Sequence, residues 1–157
     1  MPMSSILGLM KSNVPKMYIP HPSQITYVGI RDIDPPEVKR LQQLSCYYGP
    51  DLLDFGKDWP SWVSSRLNRK LTSNNTSKIY VSFDVDVLDP REITNTGTPV
   101  DNGLHGIDVA DFLQGLRVVH KLDIVGMDIV EFNPEAGVMD RVEMEANHIL
   151  DIAKRVL

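Results

Sequence analysis

Three short apolar runs, each with acidic residues at or just after its end, constrain the fold of this 157-residue chain more than any other feature. The runs are residues 25–30, 79–84 and 123–130, and they are rich in β-branched and aromatic side chains, which predicts buried strands. Between them, apolar residues recur at intervals of three and four, which predicts helices. Strands that alternate with helices predict an α/β fold with a parallel sheet covered by helices on both faces.

The remaining elements follow from the same periodicities and from turn residues. We predict helices over residues 1–9, 36–45, 61–71, 108–120 and 139–157, with Ser61 as the N-cap of the third. Loops are predicted over residues 51–59, 73–77 and 88–106. The last of these is long and holds several Gly and Pro residues, and long structured loops usually carry function. Because no repeat, low-complexity tract or linker interrupts the pattern, we predict a single domain over residues 1–157.

The overall composition excludes several classes of protein. A net charge of -5 argues against a nucleic-acid or anionic-membrane partner, since both require a basic surface. No run reaches the ~18 apolar residues that a membrane helix needs. The single cysteine, Cys46, cannot form an internal disulfide, which favours a reducing compartment and predicts a cytoplasmic protein. We interpret Cys46 as an inert buried thiol, because no histidine is near it in sequence.

Carboxylates stand after all three predicted strands. They are Asp32 and Asp34 after the first, Asp84 and Asp86 after the second with Asp89 just beyond, and Glu131 after the third. In parallel sheets the carboxyl ends of the strands meet at one edge, where ligands bind. Crowded like charges repel unless a cation is present, and hard oxygen ligands favour Mg²⁺, Ca²⁺ or Mn²⁺. This edge therefore predicts a metal ion, a cationic substrate, or both.

The spacing of Asp84 and Asp86 sharpens the metal hypothesis. Residues two apart on a strand point to the same side, so both carboxylates can face one ion or an ion pair. An alternative is that each aspartate only caps a turn or helix inside a structural α/β domain. A calcium loop starting at Asp84 is a weaker alternative, because an EF-hand needs Gly at about the sixth position and Glu at about the twelfth. Asp89 and Asn95 stand at those positions.

Three motifs carry a resemblance to a known family. SFDVDVLDP at residues 82–90, followed by TGTPV at residues 96–100, resembles the second metal-binding signature of the arginase, agmatinase and formiminoglutamase family. GIRDIDP at residues 29–35 and MDIVEFNP at residues 127–134 resemble two further family segments in the same order. The resemblance covers nearly the whole chain. It implies a three-layer α/β/α fold and hydrolysis of a guanidinium group at two manganese ions.

The resemblance also implies roles for individual residues. Asp84 would bridge the two Mn²⁺ ions and Asp86 would bind one of them, while no residue is assigned as a catalytic acid or base. Two such ions activate a water molecule and stabilise the charge that develops during attack. The implied substrate ligands are Glu131 for the guanidinium, Thr98 in the pocket beside it, and Asp34, with Asp32 less directly, for the α-amino end of arginine.

Family motifs also bear on the substrate. RDIDP at residues 31–35 and Val100 after TGTP are arginase-like, whereas agmatinases usually have Glu at the latter position. Arginine, hydrolysed to ornithine and urea, is therefore the expected substrate, with agmatine as the alternative. Val87 favours the alternative, since arginases commonly have Gly there.

Histidine ligands are the part of the family pattern that this sequence lacks. The family uses an early His and an Asp-x-His-x-Asp cluster, and none of His21, His105, His120 and His148 stands in such a cluster. Only His105 lies near the predicted site, either in contact with it or at the start of a helix.

The resemblance places residues 1–9 in the middle of a family member. We therefore expect the first half of the sheet, with most metal ligands, to be absent and an apolar sheet edge to be exposed. This predicts a homo-oligomer or association with an arginase chain that supplies the missing half. An inactive fragment or isoform that binds full-length subunits is the alternative.

Overall fold

The computed structural model describes residues 21–74 and 78–156. The chain divides into two compact units, Met1–Tyr48 and Gly49–Leu157. The single-domain organisation over residues 1–157 stays a prediction, and the helix predicted over residues 1–9 lies outside the described residues.

The first unit contains a pair of parallel strands joined by a helix. Strand β1 (Thr26–Ile30) pairs with β2 (Ser45–Tyr48), with Thr26 opposite Ser45. Between them lies α1 (Pro35–Leu41), which begins at two prolines because their fixed φ suits a first helical turn. The predicted helix over residues 36–45 is too long, and β2 was not predicted. Residues 45–48 become a strand because β1 offers them backbone hydrogen-bond partners, which no local pattern encodes.

Among its described residues, the second unit contains four further α-helices. They are α2 (Gly49–Phe55), α3 (Trp59–Ser73), α4 (Gly106–Gln114), which continues into a π-helical turn (Gly115–Val119), and α5 (Val142–Ala153). The predicted loop over residues 51–59 is wrong, because residues 49–55 form α2. Ser61 is not an N-cap: it lies inside the first turn of α3, and its hydroxyl donates to the carbonyl of Asp58 at 3.0 Å.

The two remaining strands match the predicted runs closely. Strand β3 (Lys78–Asp84) pairs in parallel with β4 (Asp123–Val130), and the register sets Asp84 opposite Val130. The parallel pairs with intervening helices confirm the α/β fold class. The register also places the carboxyl ends of β3 and β4 side by side, which is the geometry that the acidic pattern required.

The β3–β4 pair and the helices of this unit share one core. Phe83 and Val85 are buried, and the core of this unit continues through apolar residues of the helices, among them Trp59, Val63, Phe112, Leu116, Ile149 and Ile152. Other side chains of the two strands are exposed: Tyr80, Val125 and Ile129 are 61%, 57% and 39% exposed. No helix in the described part of the chain has the length and apolar character needed to cross a membrane.

Candidate active site

The end of β3 brings two carboxylates together on a tight turn. Asp84 is the last residue of the strand, and a short 3-10 turn (Val85–Val87) follows it. The Asp84 Oδ1 atom accepts a hydrogen bond from the backbone N–H of Asp86 at 3.2 Å. Val85 is completely buried between the two aspartates and anchors the turn in the core. Both aspartates are partly buried, so water screens their mutual repulsion only in part.

The surroundings of Asp84 raise the pKa of its carboxyl group. Burial and then the charge of Asp86 are the main causes that raise the pKa of Asp84 from 3.8 to about 7, and the charge of Glu131 adds to them. The hydrogen bond from the Asp86 backbone acts in the opposite direction but does not offset them. A carboxyl group that holds a proton near neutral pH because of burial and acidic neighbours is a site where a cation would be stabilised.

Thr98 and Glu131 adjoin this pair within the second unit. The hydroxyl of Thr98 donates to Asp86 Oδ2 at 3.3 Å, which brings the loop after β3 back to the strand end. Glu131 directly follows Val130, the partner of Asp84 in the β3–β4 register. Its φ of 66° is in the left-handed region, which a non-glycine residue adopts only at a cost of about 1–2 kcal/mol. Such strained positions cluster at ligand sites.

Backbone hydrogen bonds join the start of the loop that carries Thr98 to the end of the same loop. Leu104 N–H donates to the carbonyl of Val87 at 2.9 Å, and Asp89 N–H donates to the carbonyl of Leu104 at 3.1 Å. Gly103 is required at this contact, since a Cβ there would lie 2.4 Å from the Asp89 nitrogen and from the Leu88 carbonyl. The loop is therefore ordered by backbone contacts.

Asp89 does not belong to the open acidic cluster, in contrast to the sequence-based expectation. Its buried carboxylate accepts from the Arg91 side chain at 2.7 and 3.1 Å and from the Arg91 backbone at 3.0 Å. The hydrogen bond from the Arg91 guanidinium is the main reason that the pKa of Asp89 is lowered. The charge of Asp89 is therefore neutralised by Arg91, and its hydrogen bonds hold the start of the loop after β3.

Asp32 and Asp34 lie in the first unit, directly after β1, and both are exposed. Asp34 occupies the N-cap position of α1 but makes no side-chain capping bond, whereas Asp84 does cap its turn. The capping alternative therefore describes Asp84 in part and does not describe Asp34. The structure brings Asp84, Asp86, Thr98 and Glu131 together in the second unit. The six roles assigned from the sequence stay predictions.

The donor set decides how well a divalent ion fits. Asp84 and Asp86 offer hard oxygen ligands, and their repulsion would be relieved by a cation. Over residues 21–74 and 78–156, however, no three His, Cys, Asp or Glu side chains are arranged as a group that could hold a metal ion. A hard divalent ion takes about six ligands, so these two carboxylates fit one side of a metal site and do not complete it.

The histidines serve another purpose. His105 lies just before α4, as one of the sequence-based alternatives proposed, and its Nδ1 is 3.1 Å from Glu92 Oε1. His148 Nε2 is 2.9 Å from Glu92 Oε2, and Gly106 N–H donates to the same oxygen at 2.9 Å. Burial raises the pKa of Glu92, but the bonds from Gly106 and the two histidines outweigh it and leave the pKa lowered. This cluster joins the loop to α4 and α5.

Cys46 fits the interpretation of an inert thiol. It is partly buried on β2, and its Sγ contacts the carbonyl of Leu41 at 3.7 Å. Burial raises the pKa of the thiol, which keeps it protonated and unreactive at neutral pH.

Comparisons with known proteins agree with this architecture. A family model described as the Arginase family matches residues 1–153. An arginase from Eremothecium gossypii is 32% identical over 152 residues, covering 88% of this chain and 35% of the relative. Arginase-1 from Bos taurus is 34% identical over 151 residues, covering 87% of this chain and 44% of the relative.

Solved structures show the same fold. Entamoeba histolytica arginase in complex with L-ornithine superposes with a TM-score of 0.82 and 29% identity, covering 99% of this chain and 51% of that chain. The agmatine ureohydrolase of Thermoplasma volcanium gives a TM-score of 0.65 and 27% identity, covering 84% of this chain and 41% of that chain.

The fold and the acidic strand ends thus define an α/β protein of the ureohydrolase type. The chain belongs to the Arginase family. It spans less than half the length of the two curated relatives described above.

Proposed function

We propose that this chain contributes one part of a manganese site at which the guanidinium group of arginine is hydrolysed to ornithine and urea. The observation that carries the proposal is the meeting of Asp84, Asp86 and Glu131 at the strand ends, where burial and the two neighbouring charges raise the pKa of Asp84 to about 7. A site that repels negative charge in this way suits a divalent cation beside a cationic substrate. Family membership supports the same chemistry.

In this proposal Asp84 and Asp86 hold the metal. When bound, a pair of divalent manganese ions supplies Lewis-acid activation of water and stabilises the charge that develops on the substrate. The chain's own contribution is to aim the two carboxylates from a rigid turn, since Val85 between them is fully buried. Thr98 limits the freedom of Asp86 through their 3.3 Å hydrogen bond. The remaining ligands must come from outside the described residues.

Glu131 is proposed to bind the guanidinium group. A carboxylate and a flat guanidinium form two parallel charge-assisted hydrogen bonds, which fix the orientation of the reacting carbon. Asp34, and less directly Asp32, are proposed to bind the α-amino end, and Thr98 to line the pocket. Agmatine lacks the α-carboxylate but shares the guanidinium, so the same groups could serve it. The similarity to the Thermoplasma volcanium agmatine ureohydrolase keeps agmatine as the second candidate.

The test begins with metal binding and then measures turnover. Mn²⁺ is titrated into the purified 157-residue chain and the free ion is measured by electron paramagnetic resonance. Urea release is then measured with arginine and, in parallel, with agmatine. The variant Asp84→Asn should lose Mn²⁺ binding, whereas Asp140→Asn, an exposed aspartate in the same unit, should not. Equal Mn²⁺ binding by the wild type and Asp84→Asn would overturn the metal assignment.

A partner role is the second candidate function. It is favoured by the exposed apolar side chains of β3 and β4, Tyr80, Val125 and Ile129. We propose that these two strands take up the N-terminal half of a family sheet, from a full-length arginase subunit or a second copy. Co-purification with a full-length arginase, and urea release after the N-terminal half is supplied in trans, test this role. Urea release by the isolated chain would argue against it.

A further inference from the structure

Glu145 is a charged residue in the interior of the second unit, and it has no role in the proposed reaction. It lies on α5 and is 0% exposed, although glutamate is almost never fully buried unless it is paired. An ionised carboxylate is tolerated in such a place only when hydrogen bonds and an opposite charge replace the lost water. The donors that surround Glu145 therefore reveal what holds it there.

Those donors come mainly from the loop between β3 and α4. Glu145 Oε1 accepts from the Thr94 N–H at 3.0 Å and from the Thr94 hydroxyl at 2.8 Å. Oε2 accepts from the Asn95 N–H at 2.9 Å and from the Asn95 side-chain Nδ2 at 2.8 Å. Arg141 Nε lies 3.1 Å from Oε1, and its Nη2 also donates to the carbonyls of Arg91 and Glu92 at 3.0 and 3.1 Å.

The charge of Glu145 is maintained by the same contacts. Burial raises the pKa of this carboxyl, but the hydrogen bonds from Asn95 and Thr94 together outweigh burial and leave the pKa lowered. Glu145 is therefore an ionised anchor that joins the start of α5 to the loop.

From this anchor, contacts lead directly to the segment that follows β4. The carbonyl of Asn95 accepts from the backbone N–H of Asn133 at 2.9 Å, and Thr96 forms an antiparallel bridge with Phe132. Gly137 packs so closely on the loop that a Cβ there would lie 2.4 Å from the Thr94 carbonyl oxygen. Residues 132–137 therefore rest on the piece of loop that Glu145 holds.

Glu131 lies between two fixed segments. On one side the β3–β4 pairing fixes Val130, and on the other the bridge to Thr96 fixes Phe132. A non-glycine residue at φ 66° persists only where its surroundings over-determine the backbone. The contacts of Phe132 and Asn133 with the loop are therefore part of what keeps Glu131 in this conformation.

We propose that Glu145 is a positioning residue that, through Thr94–Thr96 and the Phe132–Asn133 backbone, fixes the direction of the Glu131 carboxylate. This inference rests on the proposed function, in which Glu131 takes the guanidinium group. Glu145 touches neither substrate nor metal in this scheme. Its effect should therefore fall on guanidinium binding and leave Mn²⁺ binding at Asp84 and Asp86 unchanged.

Amide hydrogen exchange of the full 157-residue chain tests the positioning without any ligand. The variant Glu145→Gln keeps the size but removes the charge and turns one oxygen into a donor that faces other donors. We expect exchange in residues 92–98 and in residues 131–134 to accelerate by about tenfold or more, as for the loss of hydrogen bonds to a charged group. Exchange in residues 79–84 should stay within about twofold of the wild type.

Two further variants complete the design. Glu143→Gln, at an exposed position of the same helix, is the matched control and should leave all three segments unchanged. Thr94→Val removes a single donor and should accelerate the same two segments by about two- to fivefold. If Glu145→Gln does not fold, the exchange pattern of Thr94→Val tests the positioning role in its place.

The outcomes are distinct. Faster exchange in residues 92–98 alone, or an equal increase in all three segments, would overturn the positioning role. With Mn²⁺ present, the affinity for L-arginine should fall about tenfold or more in Glu145→Gln, while Mn²⁺ affinity stays within about twofold. Equal losses of both affinities would also overturn it. A wild type that binds no arginine would count against the proposed function alone, and the exchange pattern would still decide the role of Glu145.

Discussion

Replacing Asp84 with Asn should stabilise the metal-free chain at about pH 8, and the gain should shrink towards about pH 5. Burial and the charge of Asp86 raise the pKa of Asp84 from 3.8 to about 7 in the folded chain. A carboxyl whose pKa is higher in the folded state contributes stability below its unfolded pKa and loses it as the pH rises through the folded pKa. Asparagine has nearly the same shape and no charge, so it escapes the repulsion at high pH.

The magnitude follows from the size of the shift. The pKa of Asp84 rises from 3.8 to about 7, and one pKa unit corresponds to about 1.4 kcal/mol. The contribution of Asp84 to the free energy of unfolding can therefore change by at most about 4 kcal/mol with pH. Between about pH 8 and about pH 5 roughly two of these units titrate, which corresponds to about 3 kcal/mol. Because Asp84 is only partly buried, water screens part of the repulsion, and we expect a change of about 2 kcal/mol.

Urea unfolding in the presence of EDTA measures this change. The free energy of unfolding is determined at several pH values between about 5 and 8 for the wild type, Asp84→Asn and the control Asp140→Asn. The difference between the wild type and Asp84→Asn reports on Asp84 together with the acidic groups coupled to it, because the remaining titrating groups are common to both chains. A difference that stays constant over this pH range would refute the crowding of Asp84. Added Mn²⁺ should raise the stability of the wild type and leave that of Asp84→Asn unchanged.

Three further predictions concern the loop and its contacts. Gly103→Ala should lower the free energy of unfolding by about 1–3 kcal/mol, measured by urea unfolding, because its Cβ would meet the Asp89 nitrogen at 2.4 Å. Glu92→Gln should lower the melting temperature at pH 7. The difference from the wild type should vanish as the pH falls through the lowered pKa of Glu92, since a depressed carboxyl pKa stabilises only above that range. Thr98→Val should weaken Mn²⁺ binding by less than about tenfold, because it removes one exposed hydrogen bond of 3.3 Å to Asp86. Titration with Mn²⁺ followed by electron paramagnetic resonance measures this change.

The elements that the sequence predicted correctly are those with a strong local pattern. β3 and β4 are continuous runs of β-branched and apolar residues, and the core residues of α4 repeat at helical spacing. β2 was missed because Ser45–Tyr48 has no alternation and becomes a strand only by pairing with β1. α2 was missed because residues 51–59 were predicted as a loop, although the first residues of the helix, Gly49 and Pro50, are both tolerated in a first helical turn.

The candidate site divides in the same way. Asp84, Asp86 and Glu131 were predicted as site residues because they stand at or just after strand ends, and the topology alone brings Glu131 beside Asp84. The state of Asp89 could not be identified, because its neutralisation by Arg91 depends on how the loop turns back. The burial of Glu145 could not be predicted from the sequence, because a glutamate at the start of a helix is usually solvated and interacts favourably with the helix dipole.

The sequence by itself determined the α/β class, the two long strands, the family and the acidic strand ends, because these depend on local periodicity and on motifs contiguous in the chain. Tertiary structure decided that Asp89 is paired with Arg91, whereas the charges of Asp84, Asp86 and Glu131 crowd one another. Glu145 is buried because four donors from residues 94 and 95 converge on it from 50 or more positions away. Asp84 holds a raised pKa because burial and the Asp86 and Glu131 charges act on it together. Both effects arise from distance and desolvation in the folded chain, which no residue pattern specifies.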